Sequence, residues 1–264
     1  MDTSTTFDPA LCARYADIED RHFWFRTRTR LITELARQVT AGLAPGYRVL
    51  EVGCGTGVLL RALESACTGG HVTGLDLYHE ALSLCRSRSR AALIQADVRA
   101  LPLTAGFSLV GMFDMLEHLP DDRAILDGLF GLVAPGGALI LTVPAHASLW
   151  SYFDEANHHC RRYEPAELSE KLTRAGFAVE YLSNFMAATF PLIWLKRRWS
   201  GRDYAPAERT PDRARQLAFA ELSIVPGVNG LLECVLAAEV ALLARRVSLP
   251  FGSSLVAIAR RVSK

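Results

Sequence analysis

Val49-Leu50-Glu51-Val52-Gly53-Cys54-Gly55-Thr56-Gly57-Val58-Leu59-Leu60 is the stretch on which the fold turns. The apolar residues Val49, Leu50 and Val52 make a run of buried-strand length, and it leads straight into three glycines spaced two apart. A helical apolar period then starts at Val58 and continues through Leu59, Leu60 and Leu63. Strand, glycine turn and helix in that order form a nucleotide-binding βα unit. Glycine is needed there because the backbone must bend sharply and lie against a ligand with no Cβ in the way. The helix N-terminus adds free N–H groups and a partial positive charge. A dinucleotide fingerprint would read G-x-G-x-x-G, with the pyrophosphate on the helix N-terminus. The spacing here is E-x-G-x-G-x-G, with Glu51 at the strand end. A carboxylate in that place would repel a pyrophosphate and suits a cationic ligand, which argues against an NAD(P) oxidoreductase on the same kind of sheet.

Outward from the loop, His71–Asp76 reads as a second strand ending in an acid. Asp76 lies about 20 residues past the glycines, the usual distance for a carboxylate that binds a ribose hydroxyl pair. Leu93–Val98 gives a third strand with Asp97 near its end, and Ser108–Met115 a fourth that continues into Leu116-Glu117-His118-Leu119. Ala134-Pro135-Gly136-Gly137 reads as a turn before a fifth strand, Ala138–Val143. This succession resembles the class I S-adenosylmethionine (SAM)-dependent methyltransferases, in particular the bacterial type 11/12-like subgroup. It carries their acidic glycine loop, their strand-end acids, and their "LxPGG" turn as Leu132 to Gly137 with Val133 and Ala134 between. The resemblance covers roughly Tyr47 to Asn184.

The resemblance implies an α/β fold, a doubly wound, mostly parallel seven-stranded sheet of the Rossmann-like methyltransferase type. It implies SAM as cofactor, held by Glu51, Gly53, Cys54, Gly55 and Gly57 of the loop. Asp76 would meet the ribose and Asp97 the adenine amino group, with Leu77, Val98 and Phe113 also among the cofactor-binding residues. Gly176–Leu182 resembles the family's sixth strand, and Phe251–Arg260 its seventh, which runs antiparallel beside the sixth. The chain then divides into four parts: an N-terminal helical extension or lid (1–44), the SAM-binding core (45–184), a helical cap inserted between strands six and seven (185–250), and the final core strand (251–264).

Composition sets limits. The chain has 264 residues, half of them hydrophobic, which suffices for one core with appendages. A net charge of +1 gives no electrostatic case for nucleic acid. Cys12, Cys54, Cys67, Cys85, Cys160 and Cys234 form no C-x-x-C pair and read as reduced thiols. The first ten residues, MDTSTTFDPA, lack the basic and apolar regions of a signal peptide, so a cytoplasmic protein is expected. In the insertion, Phe185–Leu195 is too short to span a bilayer and contains Pro191, while Val228–Ala244 contains Glu233 and Glu239, costly in lipid. No transmembrane segment is expected. A cap over the substrate, a homodimer interface and a peripheral membrane contact remain open for it, and 201–215 reads as a mobile loop.

Methyl transfer from a sulfonium is an in-line displacement. The acceptor must be held aligned and dry, and a poor nucleophile needs a base. His118 follows the fourth strand and His159 the fifth, at strand C-termini where ligands gather in open sheets. These two are the candidate catalytic residues, expected on opposite walls of one pocket. Asp114, Glu117, His118 and His159 also resemble the E-x-x-E-H metal set of some ubiquinone-pathway and small-RNA methyltransferases, with Asp in place of the first Glu; no metal is expected as the leading reading. Trp24, in the aromatic His22–Phe25 segment, together with Trp150, Tyr152, Arg162 and Tyr163, are the candidate substrate residues. The expected activity is methylation of a small-molecule acceptor at O, N or C, in biosynthesis and secondary metabolism. Two alternatives stand: a SAM-binding protein of the same fold that does not methylate, and a membrane-surface enzyme acting on a lipid-like acceptor.

Overall fold

The structure is a computed structural model that describes residues 12–203 and 210–262. Seven strands form one sheet in the order β3-β2-β1-β4-β5-β7-β6. They are β1 (Tyr47–Val52), β2 (Gly70–Asp76), β3 (Ala92–Gln95), β4 (Phe107–Phe113), β5 (Val133–Pro144), β6 (Ala178–Phe185) and β7 (Ser254–Arg260). The first five are parallel to one another, and β7 runs antiparallel between β5 and β6. The order reverses between β1 and β4, which opens a crevice at the strand C-termini where such sheets bind ligands.

Successive strand residues face opposite layers, as a strand buried on both sides requires. On one face Val49, Leu109, Ile140 and Ile258 pack with Leu31, Leu35 and Leu60 of α2 (Phe23–Thr40) and α3 (Val58–Ala66). On the other, Leu50, Val110, Leu139 and Ala257 pack with Leu126, Leu129, Leu168 and Leu172 of α5 (Asp122–Leu132) and α7 (Pro165–Arg174). Between these, α1 (Cys12–Glu19), α4 (His79–Arg88) and α6 (Tyr152–Ala156) complete the helices before β6.

Three details depart from the sequence expectation. The Ala134–Gly137 "turn" lies inside β5 as an irregularity: Phe107 pairs with Val133 and Leu109 with Ala138, so extra residues bulge between them. Asp97 lies beyond β3 and caps a short 3₁₀ turn, Val98–Ala100, by accepting the Arg99 amide. The segment between β6 and β7 is helical but not uniform. It holds α8 (Phe190–Asp203), α9 (Pro211–Glu221) and α10 (Pro226–Ala244). The loop expected over 201–215 is interrupted by the ends of α8 and α9, and residues 204–209 lie outside the described residues. Of α10, Leu236, Val240 and Leu243 join the α2 layer of the core. So α10 flanks the sheet rather than capping its mouth.

Candidate active site

At the C-terminal edge of the sheet a cavity of about 540 Å³ opens between β1, β2, β4, α1, α2 and α8. Of the cofactor residues expected from sequence, Gly53, Gly55, Asp76, Leu77, Asp97 and Val98 line it. Glu51, Cys54, Gly57 and Phe113 do not. Gly57 has a φ of +87° and its missing Cβ would fall 2.5 Å from the Cys85 sulfur, so it is glycine for packing against α4. Glu51 is buried beneath the loop with Oε2 lacking a hydrogen-bond partner, and burial pushes its carboxyl well above the usual range.

The site fits a compact cationic cofactor with a ribose. A Cβ at Gly55 would project into open space, so the chain leaves room beside its backbone. Asp76 accepts the Gly55 amide on Oδ2 at 2.8 Å and the Tyr78 amide on Oδ1 at 2.9 Å. These bonds fix the carboxylate at the rim and tie it to the glycine loop, while each oxygen keeps a lone pair for a hydroxyl donor. Burial raises its pKa and the amide bonds pull it back. Asp97 is held by both the amide and the guanidinium of Arg99, whose hydrogen bonds keep its carboxyl below the usual range.

The rest of the cavity wall is built from segments far apart in sequence. His22 caps α2 by accepting the Trp24 amide on Nδ1. This sends Trp24, Phe25 and Arg28 along one side of the first turns into the cavity wall. The Arg28 guanidinium lies over the Trp24 ring at 4.7 Å, pairs with Asp114, and leaves Nε buried without a partner. Its charge also draws the buried Glu51 carboxyl downward against burial, and with Arg162 that of Glu117. Asp114 sits at φ +49°, a left-handed conformation uncommon outside glycine, and His146 and His158 share it. Sequence reading missed Arg28, whose partner is 86 residues away.

His118 and His159 come together as expected: their rings stack edge-on with centroids 4.8 Å apart, and both line the cavity. They form one wall rather than two facing walls. Behind His159 lies a residue that sequence reading did not single out. Asp154 is fully buried and accepts His159 Nδ1 at 2.9 Å and Arg162 Nε at 2.7 Å on Oδ1, and the Ser151 amide at 2.9 Å on Oδ2. Burial alone would raise Asp154, but the His159 hydrogen bond and the Arg162 charge hold its carboxyl below the usual range. His159 Nε2 lies 4.0 Å from Glu117 Oε1. Burial, with His159 and His158 adjacent, pushes His118 down to about 3, so its imidazole is neutral. Glu117, His118 and His159 offer metal-type donor atoms within 4.8 Å of one another. Asp114, the fourth member of the expected set, is taken by Arg28 instead.

The substrate residues divide. Trp24 and Arg162 line the cavity, and Arg162 is committed to Asp154 and the Ala145 carbonyl. Trp150, Tyr152 and Tyr163 do not line it. Trp150 is exposed, because the chain leaves β5 through the 3₁₀ turn Ala147–Leu149 and turns it outward. Tyr152 bonds Glu221 and packs with Ala214 and Ala218 of α9. Tyr163 is fully buried behind the sheet edge, its hydroxyl donating to Asp122. In their place, Phe153, Leu192, Ile193, Lys196 and Arg197 reach the cavity.

The profile of a family described as a methyltransferase domain matches residues 15–182. A ubiquinone biosynthesis O-methyltransferase of Xanthomonas axonopodis pv. citri (strain 306) is 34% identical over 169 residues, 56% of this chain and 70% of that enzyme. Such relatives are spanned over 49% to 70% of their length. A Haloferax volcanii methyltransferase solved with the Trm112 methyltransferase activator superposes with a TM-score of 0.61 at 18% identity, covering 97% of both chains. A Haemonchus contortus phosphoethanolamine N-methyltransferase 2, solved with SAM, superposes with a TM-score of 0.53 at 19% identity over 87% of this chain and 52% of that one. The fold, the glycine cradle and the matching family profile agree: the chain belongs to the class I SAM-dependent methyltransferases.

Proposed function

We propose that this chain methylates a hydroxyl oxygen on a small acceptor with an apolar body, and that His159 is its general base. One observation carries the reading: an imidazole oriented by a buried carboxylate stands in the wall of the same cavity that the glycine loop and Asp76 line. When bound, SAM supplies an electrophilic methyl group on a sulfonium; Gly53, Gly55, Asp76 and Asp97 hold it. An oxygen acceptor is a poor nucleophile until it loses its proton, which an amine, a thiolate or a carboxylate does not require. Asp154 fixes the proton of His159 on Nδ1 and leaves the Nε2 lone pair as proton acceptor. Arg162 and the Ser151 amide keep Asp154 in place and ionised. Trp24, Phe25, Phe153 and Leu192 give the acceptor end an apolar lining that excludes water. The O-methyltransferase relatives support the choice of oxygen.

The test is incubation with SAM and a panel of phenols, alcohols, amines and thiols, reading S-adenosylhomocysteine and methylated product by mass. Product from phenols, lost in His159→Ala, is the expected result. Release only with amines or thiols, indifferent to His159→Ala, overturns the base. SAM binding with no release for any acceptor favours the non-methylating alternative.

A second reading rests on the donor cluster. Glu117, His118 and His159 could hold a divalent cation that polarises the acceptor oxygen. Under that reading a chelator abolishes turnover and a divalent ion restores it; under the base reading turnover is indifferent to the chelator.

A further inference from the structure

Among the described residues, thirteen large apolar side chains are exposed, and ten of them lie between Leu192 and Phe251. That concentration sits on the insertion between β6 and β7, not on the cofactor-binding half. On α10 the exposed residues Val228, Leu231, Val235 and Leu242 follow a three- and four-residue spacing, so they form one stripe along the helix. Small residues such as Gly230, Cys234 and Ala238 fill the positions between them. An 18-residue window of the 19-residue α10 has a mean hydropathy of 1.7, high enough by length and composition to cross a membrane.

The helix is nevertheless anchored in the fold. Leu236, Val240 and Leu243 are buried on the neighbouring face, about a third of a turn round from the stripe. Its two acids are both engaged by the protein. Glu239 accepts the Met186 amide at 2.5 Å and the Ala188 amide at 3.1 Å, and Glu233 pairs with Arg26 at 2.8 Å. No acidic side chain of α10 therefore stands free on the outer stripe. Exposed cations stand at its end and on α8 instead: Arg245 just past the last turn of α10, and Arg198 on α8 next to the exposed Trp194. An apolar stripe with a cation at its end, on a helix docked along the neighbouring face, is the pattern of a helix that lies in a bilayer surface rather than through it. Continuity with the site adds to this. Leu192 is 65% exposed and also lines the cavity, so the exposed apolar side of α8 reaches the cavity mouth.

We propose that α10 and the outer side of α8 form a docking face for an anionic lipid bilayer, and that the acceptor reaches the cavity from that bilayer past Leu192. The docking face stands independently of the methylation chemistry; only the acceptor's route rests on the function proposed above.

The experiment is flotation of the full chain with phosphatidylcholine vesicles carrying about 30% phosphatidylglycerol, against pure phosphatidylcholine. Binding to the anionic vesicles at least about tenfold tighter than to the neutral ones is expected, since each cation near an anionic surface is worth about fivefold. The double variant Leu231→Glu, Val235→Glu alters exposed positions only. It should lose vesicle binding by at least about tenfold while its SAM affinity by calorimetry and its thermal midpoint stay those of the parent. Arg245→Glu should weaken binding to anionic vesicles by about fivefold or more and leave the neutral ones unaffected. A parent chain that floats with neither vesicle overturns the proposal, as does a double variant that floats as well as the parent. A parent that is dimeric by light scattering and becomes monomeric in the double variant, with no flotation, assigns the face to a second copy of the chain instead. Loss of SAM binding or of turnover in the parent would strike the function proposed above and leave the flotation result standing.

Discussion

The two ends of the cavity are made in different ways. The cofactor end consists of strand termini and the loop that follows β1: Gly53, Gly55, Asp76 and Asp97 sit where the backbone of β1, β2 and β3 delivers them. Its central carboxylate is held by backbone within one βα unit, the Gly55 and Tyr78 amides on Asp76, and Asp97 is held by Arg99 two residues on. The acceptor end has no such local plan. Arg28 comes from α2, His118 from the end of β4, Asp154 and His159 from the return after β5, and Leu192 from the insertion. Arg28 reaches Asp114 across 86 residues, Asp154 gathers His159, Arg162 and the Ser151 amide, and several of the groups are buried charges or neutral imidazoles. A binding site for a fixed ligand can be encoded in backbone geometry, and one for a particular acceptor has to be assembled by tertiary packing.

If that division is right, the largest effect should come from the acceptor end without touching the cofactor. His159→Ala is expected to lower kcat by about 10²–10⁴-fold, the usual contribution of a positioned base, and calorimetry should find SAM affinity within about twofold of the parent, since no cofactor contact is lost. Asp154→Asn keeps the shape but can offer an N–H to His159 Nδ1, which puts the proton on Nε2 and removes the base. It should reproduce most of the loss. A SAM affinity that collapses in either variant would mean the two ends are one coupled site.

The converse substitution should hit the cofactor end alone. Asp76→Ala removes a charged hydrogen-bond acceptor worth roughly 1.5–3 kcal/mol, so SAM should bind about 10- to 100-fold more weakly. Turnover at saturating SAM should recover, because Asp76 bonds the Gly55 and Tyr78 amides and shares no partner with the Asp154–His159 pair. Unchanged affinity would remove Asp76 from the ribose; a kcat that fails to recover at saturation would show that the glycine loop positions the acceptor too.

The same division explains what could be read in the sequence. The β1–loop–α3 unit, the acids after β2 and β3 and the antiparallel β7 are local patterns or fixed spacings, and they appear in the structure near their expected places. Within the loop the reading overreached. Motif spacing does not say which way each residue faces, and Cys54 and Gly57 turn away from the cavity toward Cys85. At the acceptor end, nearness to β5 suggested Trp150, Tyr152 and Tyr163, yet the chain folds back there. Ala145 bridges to Tyr163, and the phenol is carried to Asp122. Asp154 gave no sequence signal, since an Asp three residues after a serine reads as an ordinary capping box, which it also is. Arg28 is one arginine in Arg26-Thr27-Arg28-Thr29-Arg30, and only the helix phase set by His22 selects it for the cavity.

That cap supplies the smallest test, and one that separates the ends by pH. His22 holds the start of α2 through an unprotonated Nδ1. Burial pushes its pKa down from 6.5 to about 4, with Glu233 pulling the other way. The folded state therefore binds fewer protons than the unfolded state between those two values. The stability that neutral His22 contributes is fully present above pH 6.5 and is lost as pH falls from 6.5 toward 4. His22→Asn offers an acceptor at the same cap without titrating. At neutral pH it should cost about 1 kcal/mol or less, chiefly through the lost stacking on Phe23 and Phe25. As pH falls its thermal midpoint should decline less steeply than the parent's, so the two curves converge. His118, pushed down to about 3, titrates in both proteins and cancels from the difference. SAM affinity at neutral pH should stay within about twofold, because Asp76 and the glycine loop do not depend on α2 for their bonds. Parallel stability curves would show that the α2 cap does not carry the acid sensitivity. A cofactor affinity that fell with the cap would mean that Trp24, Phe25 and Arg28 close over SAM as a lid, and that the acceptor end begins further along the chain, at Asp114 and His159.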